Sequence, residues 1–293
     1  MKQSFKHIEI QPFESALGAE IIGVDLSSAL DDAVFEEVER AFNTYSLLLF
    51  RKQALTPESQ VAFSRRFGNL EHHVFSDWCL DDHPEILIVS NIQKDGEPIG
   101  VYNAGRYWHT DLSYMQAPSR GSLLFAIEVP HDGERALGDT YFASAIAAYD
   151  ALPQTLKDKV EPLKARFSLA HQRQKLIADG DAKAALTPEQ LAATPVATHG
   201  LVQRHPVTGR KLLFVNEGHT IEIVGMPKVE SDELLAELCS HATQSAFVHR
   251  HCWEVGDALM WDNIPTQHLA TFDYPYPHRR YMHRTTIMGT EID

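Results

Sequence analysis

Tyr107-Trp108-His109-Thr110-Asp111 sets an imidazole and a carboxylate two positions apart. On an extended strand, residues i and i+2 project from one face, roughly 6 to 7 Å apart along the backbone, so both side chains can turn toward a single ion. A second imidazole, His268, closes the downstream stretch Trp261-Asp262-Asn263-Ile264-Pro265-Thr266-Gln267-His268. Two imidazoles and a carboxylate on one face of an octahedral ion, with the remaining positions open, form the ligand set of non-haem Fe(II) oxygenases. The triplet alone decides little, because 16 His and 40 acidic residues produce such spacings by chance and a solvated surface pair explains one as well.

The C-terminal run Arg279-Arg280-Tyr281-Met282-His283-Arg284-Thr285-Thr286-Ile287 adds weight. Its alternation suits one strand with Arg280, Met282, Arg284 and Thr286 on a shared face. Guanidiniums four residues apart are separated by roughly 13 Å of backbone, close enough to line one pocket and far enough to hold two different anions. Arginine is the side chain best suited to clamp a carboxylate through two parallel hydrogen bonds. A solvated basic strand is the competing reading of the pair taken alone.

Further motifs accompany these in a fixed order: Leu17-Gly18-Ala19-Glu20-Ile21-Ile22-Gly23-Val24-Asp25-Leu26, Phe63-Ser64-Arg65-Arg66-Phe67-Gly68, Gly138-Asp139-Thr140 and Gly256-Asp257-Ala258-Leu259-Met260-Trp261-Asp262-Asn263. With His109, Asp111, His268 and Arg279 to Arg284, the set resembles the taurine and 2,4-dichlorophenoxyacetate dioxygenase family of Fe(II)- and 2-oxoglutarate-dependent enzymes over nearly the whole chain. The resemblance implies that His109, Asp111 and His268 ligate the metal. Arg280 then matches the partner of the distal carboxylate of 2-oxoglutarate, and Thr140 the threonine that supports it. Arg284 matches the position that holds the substrate's anionic group, and His73, in Glu71-His72-His73-Val74, matches a substrate-side histidine. Asn103, in Tyr102-Asn103-Ala104-Gly105-Arg106-Tyr107, joins the substrate-side candidates, since Gly105 stands where the taurine enzyme carries a substrate-contacting Asn. One extra residue separates His268 from the Arg pair relative to the taurine-type pattern, which leaves Arg279 as the weaker alternative to Arg280.

The implied reaction is hydroxylation of a small organic anion, coupled to O2-dependent decarboxylation of 2-oxoglutarate to succinate and CO2. A carboxylate at Asp111 points to hydroxylation, since related halogenases need a small residue there. The stretch from Leu234 to Asn263 resembles the aryloxyacetate-type branch more than the taurine branch. An aryloxyalkanoate or another carboxylate is therefore the first expectation, with sulfonates and alkyl sulfates behind it. Two rival classes are a non-catalytic metal-binding jelly-roll sensor and a metal-dependent hydrolase, both separated from the oxygenase by 2-oxoglutarate binding.

Along the chain, Asp31 to Phe42 has helical periodicity and Ser46 to Phe50 reads as a strand. Thr56-Pro57 carries a helix start signal, with Phe42, Phe63 and Phe67 as core residues. Gly121 to Val129 and Thr140 to Ala143 read as strands joined by a large, charged surface loop at Pro130 to Leu137. Helix is expected from Ala143 to Ala165 with a break at Pro153, a hairpin around Pro206-Val207-Thr208-Gly209-Arg210, and an amphipathic helix from Glu230 to Ala242. Phe247 to Trp253 and Ala258 to Trp261 read as strands joined at Gly256-Asp257. The resulting picture is a mainly β single domain over 1–293, a double-stranded β-helix (jelly roll) with flanking helices. The polar, Ala-rich segment at about 172–200 is a candidate active-site lid, with a non-catalytic excursion as its alternative.

Composition bounds the rest. The 293 residues are 44% hydrophobic, ample for one large core. A net charge of −14 argues against nucleic acid and anionic membrane as partners. No apolar run reaches the length of a membrane span, and the N-terminus lacks the apolar core of a secretory signal. Cys79, Cys239 and Cys252 suit neither a disulfide framework nor a zinc ribbon, so a cytoplasmic location is expected. Family analogy adds a homo-oligomer, a dimer or tetramer. His249 and His251 alternate on one strand face but lack a third ligand, and they join His219 among the histidines read as hydrogen-bonded or surface residues.

Overall fold

The computed structural model describes residues 5–72 and 76–292. Period-two burial decides how its strands lie. In Leu47–Phe50, Leu47 and Leu49 enter one apolar core while Leu48 and Phe50 enter another. Gly121–Glu128 repeats this with Leu124 and Ala126 against Leu123 and Phe125, and Ala258–Asp262 with Leu259 and Trp261 against Ala258 and Met260. Strands covered on both faces are why these segments read as continuous apolar runs.

They belong to an eight-stranded sheet, ordered Glu9–Pro12, Ala19–Ile22, Leu47–Phe50, Ala258–Asp262, Gly121–Glu128, Tyr281–Ile287, His83–Ser90 and Cys79–Leu80. Opposite it, Val248–His251, Thr140–Ser144 and Thr266–Ala270 form an antiparallel three-stranded sheet. Phe142 of the smaller sheet, with Trp253 just past its edge strand, packs on Leu49, Leu124, Trp261 and Met282 of the larger one. This is the jelly roll. Both strands around Gly256-Asp257 form, yet they are not partners: the first pairs with Thr140–Ser144, the second with Leu47–Phe50 and Gly121–Glu128. The turn thus carries the chain from one sheet to the other and closes the sandwich.

Among the described residues, seven α-helices surround the sheets. Helices α1 (Asp32–Tyr45) and α2 (Pro57–Arg65) cover the outer face of the large sheet through Phe35, Val38, Phe42, Val61 and Phe63. Thr56 and Ser59 form a reciprocal capping box at the start of α2, with Pro57 in its first turn. Helices α3 (Ala145–Ala151) and α4 (Gln154–Val160) are separated at Pro153. Helices α5 (Leu169–Ala178) and α6 (Pro188–Ala193) follow, and then α7 (Lys228–Ala242), which buries Leu234, Leu235 and Leu238.

Two expectations change. Pro130 to Leu137 is not an open loop but a short hairpin, His131–Asp132 against Arg135–Ala136, turning on Gly133 at φ 59°. Segment 172–200 is unevenly anchored: α5 buries Leu169, Arg173 and Leu176, whereas α6 buries nothing. Among the described residues, no helix is long and apolar enough to cross a membrane.

Candidate active site

His109 and Asp111 do converge, but not because they share a strand. A single antiparallel bridge joins His109 to His268 in Thr266–Ala270, and Asp111 already begins a turn. The His109 N–H donates to the His268 carbonyl at 3.1 Å, and the His268 N–H returns a bond to the His109 carbonyl at 2.8 Å. Asn263 then fixes the backbone of Asp111: its Oδ1 accepts the Asp111 N–H at 2.8 Å, and its Nδ2 donates to the Asp111 carbonyl at 2.7 Å. One bridge and one buried amide do the work that strand spacing was expected to do.

The result is a buried cluster, His109, Asp111 and His268, whose three donor atoms lie within 4.8 Å of one another. It is the sole such group of three among the described residues. Nε2 of His109 and of His268 stand 3.6 and 3.8 Å from Asp111 Oδ1, too far for hydrogen bonds. Nδ1 of His109 faces the carbonyls of Tyr107 and His268 at 2.9 and 3.0 Å, which assigns the proton to Nδ1 and leaves Nε2 its lone pair. Burial keeps His268 neutral, far below the usual imidazole range, and the adjacent His109 adds to this. Burial also opposes charge on Asp111, but Arg284, His268 and His109 outweigh it and hold the carboxyl well below its ordinary value. Asp111 Oδ2 accepts from Ser122 Oγ at 2.9 Å. An outward-facing Nε2 on His109, a neutral His268 and an ionised, oriented carboxylate are what a divalent metal requires, so the donor set fits Fe(II).

Two chambers meet at this cluster. The first is lined by His109, His268, Thr140, Arg280, Trp261 and Tyr274, with Arg284 at its margin. Arg280 lies just before Tyr281–Ile287, and a register shift at Tyr281/Met282 interrupts the expected alternation, yet Arg280 and Arg284 still line one cavity. The Arg280 guanidinium is buried between the rings of Trp253 and Tyr274, 5.6 Å from each centroid, and donates to the Gly138 carbonyl. Trp253 Nε1–H donates to Thr140 Oγ1 at 3.0 Å. Arg279, by contrast, is largely exposed and pairs with Glu128 at 3.1 Å. A concavity of about 660 Å³ forms an outer groove that shares Tyr102, Phe272 and Tyr274 with this chamber. It contains none of the cluster, so its size carries no weight against the chemistry.

The second chamber holds His109, Asp111, Asn103 and Arg284 beneath the apolar walls Leu87 and Leu112. Arg284 Nη1 lies 3.3 Å from Asp111 Oδ1. Asn103 is buried and donates through Nδ2 to Asp181. His73 lies outside the described residues.

Three residues near or lining this chamber were not singled out in the sequence. His219 is buried, and its Nδ1 sits 2.9 Å from Ser113 Oγ. Ser113 Oγ also accepts from Asn216 Nδ2 at 3.2 Å, and Nε2 of His219 has no hydrogen-bond partner among the described residues. Glu71 is a largely buried carboxyl pushed up to about 7 by burial, with Arg284 opposing and Asp111 adding to the shift. Arg173 of α5 is buried in the chamber wall. The signal for Glu71 is its place in Glu71-His72-His73-Val74; His219 reads in the sequence only as a hydrogen-bonded or surface histidine, and Arg173 has only a helical phase that puts a cation on a buried face.

Comparison with known proteins agrees with this geometry. A family described as "Taurine catabolism dioxygenase TauD, TfdA family" matches residues 9–286. The chain is 36% identical over 295 residues to the alpha-ketoglutarate-dependent 2,4-dichlorophenoxyacetate dioxygenase of Cupriavidus pinatubonensis, spanning 96% of this chain and 98% of that protein. It is equally 36% identical to the (S)-phenoxypropionate/alpha-ketoglutarate-dioxygenase of Sphingobium herbicidovorans, over 96% of this chain and 95% of the relative. Among solved structures, AAD-2 in complex with Mn(II) and N-oxalylglycine superposes with a TM-score of 0.81 at 32% identity, covering 97% of this chain and 98% of that one.

Proposed function

The chain belongs to the TauD/TfdA family, and from that premise we propose that it hydroxylates a small organic anion, an aryloxyalkanoate before a sulfonate or alkyl sulfate. It is a 2-oxoglutarate-dependent dioxygenase that uses Fe(II), 2-oxoglutarate and O2. When bound, the metal and its cosubstrate supply the oxidising power for C–H hydroxylation, and 2-oxoglutarate leaves as succinate and CO2.

The meeting of two differently furnished chambers at one ligand cluster carries the reading. His109, Asp111 and His268 hold the metal. Arg280, stiffened between two rings, receives the far carboxylate of 2-oxoglutarate, and Thr140 completes the cradle with its hydroxyl, held in place by Trp253. On the other side Arg284 attracts the substrate anion, and Asn103 borders it; His73 is assigned to the same side. The buried apolar walls suit an aryl or alkyl body and exclude water from the reacting carbon. A hydroxyl placed on a carbon bearing aryloxy oxygen gives an adduct that collapses with C–O cleavage. Segment 172–200 is assigned a lid role, since α5 roofs the chamber. We place the protein in the cytoplasm as a dimer or tetramer; light scattering on the purified protein tests the assembly.

Succinate release tests the function directly. Purified protein is given Fe(II), ascorbate and 2-oxoglutarate with a panel of aryloxyalkanoates, sulfonates, alkyl sulfates and amino acids, and Arg280→Ala and His109→Ala serve as controls. Aryloxyalkanoate-stimulated succinate that both variants abolish is the expected result. Stimulation by amino acids alone would overturn the substrate class, and a signal surviving His109→Ala would overturn the metal assignment.

A further inference from the structure

We propose that Arg173 on α5 is a specificity-determining residue: it supplies a second guanidinium to the substrate's anionic group, so that anion capture and docking of α5 are one event. The inference rests on the reading above that the substrate is an anion held beside Arg284.

Leu169, Gln172, Arg173 and Leu176 follow helical spacing i, i+3, i+4, i+7 and all face the chamber that contains His109, Asp111 and Arg284. In the middle of this face, between Leu169 and Leu176 and beside the polar Gln172, stands a cation only 7% exposed. An apolar side chain there would serve packing alone at no desolvation cost, whereas a buried guanidinium costs several kcal/mol unless anions answer it. Its electrostatic neighbours are Tyr114, Asp181 and Tyr102. Asp181 is already shared: Tyr102 Oη–H donates to it at 2.8 Å, and so does Asn103. That carboxylate ties the chain just beyond α5 to the loop preceding His109, on the side of the chamber that Arg173 lines.

Arg284 is placed differently. It stands against Asp111, a proposed metal ligand, and beside the buried carboxyl of Glu71. Asp111 stands on that side, and an incoming carboxylate, sulfonate or sulfate held by Arg284 gains a further cation by reaching the roof of the chamber. Arginine suits the task, because its planar fork can bind two oxygens of one oxyanion at once. A ligand that bridges Arg284 on the sheet and Arg173 on α5 holds the helix down over the metal site.

The test uses the anaerobic Fe(II)- and 2-oxoglutarate-loaded protein and calorimetric affinities for phenoxyacetate, hexyl sulfate and neutral 2-phenoxyacetamide. Losing a charge-assisted contact predicts that Arg173→Gln lowers the anion-to-amide affinity ratio roughly ten- to hundredfold. Arg173→Lys, which keeps the charge but not the fork, should recover part of that ratio, and it carries the test if the Gln variant does not fold. Equal weakening of anion and amide would reduce Arg173 to packing and overturn the proposal. An Arg284→Gln variant that loses anion binding while Arg173→Gln keeps it would overturn this proposal alone. A wild-type protein that binds the amide but neither anion would overturn the anion reading and this inference together.

Discussion

Gly138 has φ 77°, and a Cβ built on it would stand 2.9 Å from the Tyr274 ring and collide with Nη1 of Arg280. The proposed cosubstrate cradle therefore depends on a side chain that is not there. Gly138→Ala should cost about 1–2 kcal/mol of stability from its left-handed backbone and displace Arg280 as well. We expect the KM for 2-oxoglutarate to rise by roughly tenfold or more, in line with loss of a charge-assisted contact. An anaerobic titration that follows the metal-to-ligand absorption of the 2-oxoglutarate complex checks this, and an unchanged midpoint would show that Arg280 tolerates the crowding. Residues of this kind mark how far the site was legible. His109, Asp111, His268, Thr140 and Arg280 could be read because their chemistry lies in short, ordered motifs. His219 could not, because the partner that orients its ring, Ser113, lies 106 positions away. Glu71 could not either, because its raised protonation range comes first from burial, which only the folded chain reveals.

Helix α5 is tied to the loop that precedes His109 by several contacts acting together. Tyr107 Oη–H donates to Asp179, Tyr102 and Asn103 donate to Asp181, and Lys175 sits 4.1 Å from the Tyr107 ring centroid while pairing with Glu217 at 2.8 Å. Exposed pairs are worth little singly, so the latch depends on the buried members, Asn103 above all. Asp181→Ala should raise hydrogen exchange in 102–107 and 169–181, raise the KM for the organic substrate, and lower Tm by only about 2–4 °C. Hydrogen-exchange mass spectrometry decides it; unchanged protection in both segments would remove the latch. Elements with local punctuation were legible here: Thr56, before Pro57, forms a reciprocal capping box with Ser59. What stayed hidden was pairing at a distance. The bridge between His109 and His268 is one residue long, and the hairpin strands at His131–Asp132 and Arg135–Ala136 have two residues each, too few for any period to show.

Across the whole molecule, buried histidines set how stability responds to acid. Burial lowers His249 and His283 to about 4, and it also pulls His199, His219 and His251 below the ordinary 6.5. In each case the folded state resists a proton that the unfolded chain accepts below about 6.5. The unfolded state then binds more protons, so stability falls as pH drops from about 6.5 and the slope flattens near 4, where His249 and His283 begin to titrate in the folded protein. Glu71 works in the opposite sense, since its carboxyl near 7 takes up a proton in the folded state first, but one group faces seven, because burial lowers His171 and His268 as well. Acidification also relieves the self-repulsion of a chain carrying −14, and salt above 0.15 M screens that contribution to within about 8 Å. Measured in chelator at that ionic strength, Tm should therefore decline between pH 6.5 and 4.5. His249→Phe keeps a ring stacked on Phe13, now 4.3 Å between centroids, and removes one of the groups that resists protonation. Its Tm profile should be shallower than that of the wild type over the same interval. Parallel profiles would mean that the neutral burial of His249 does not feed the acid transition and that the remaining histidines and the paired carboxylates account for it.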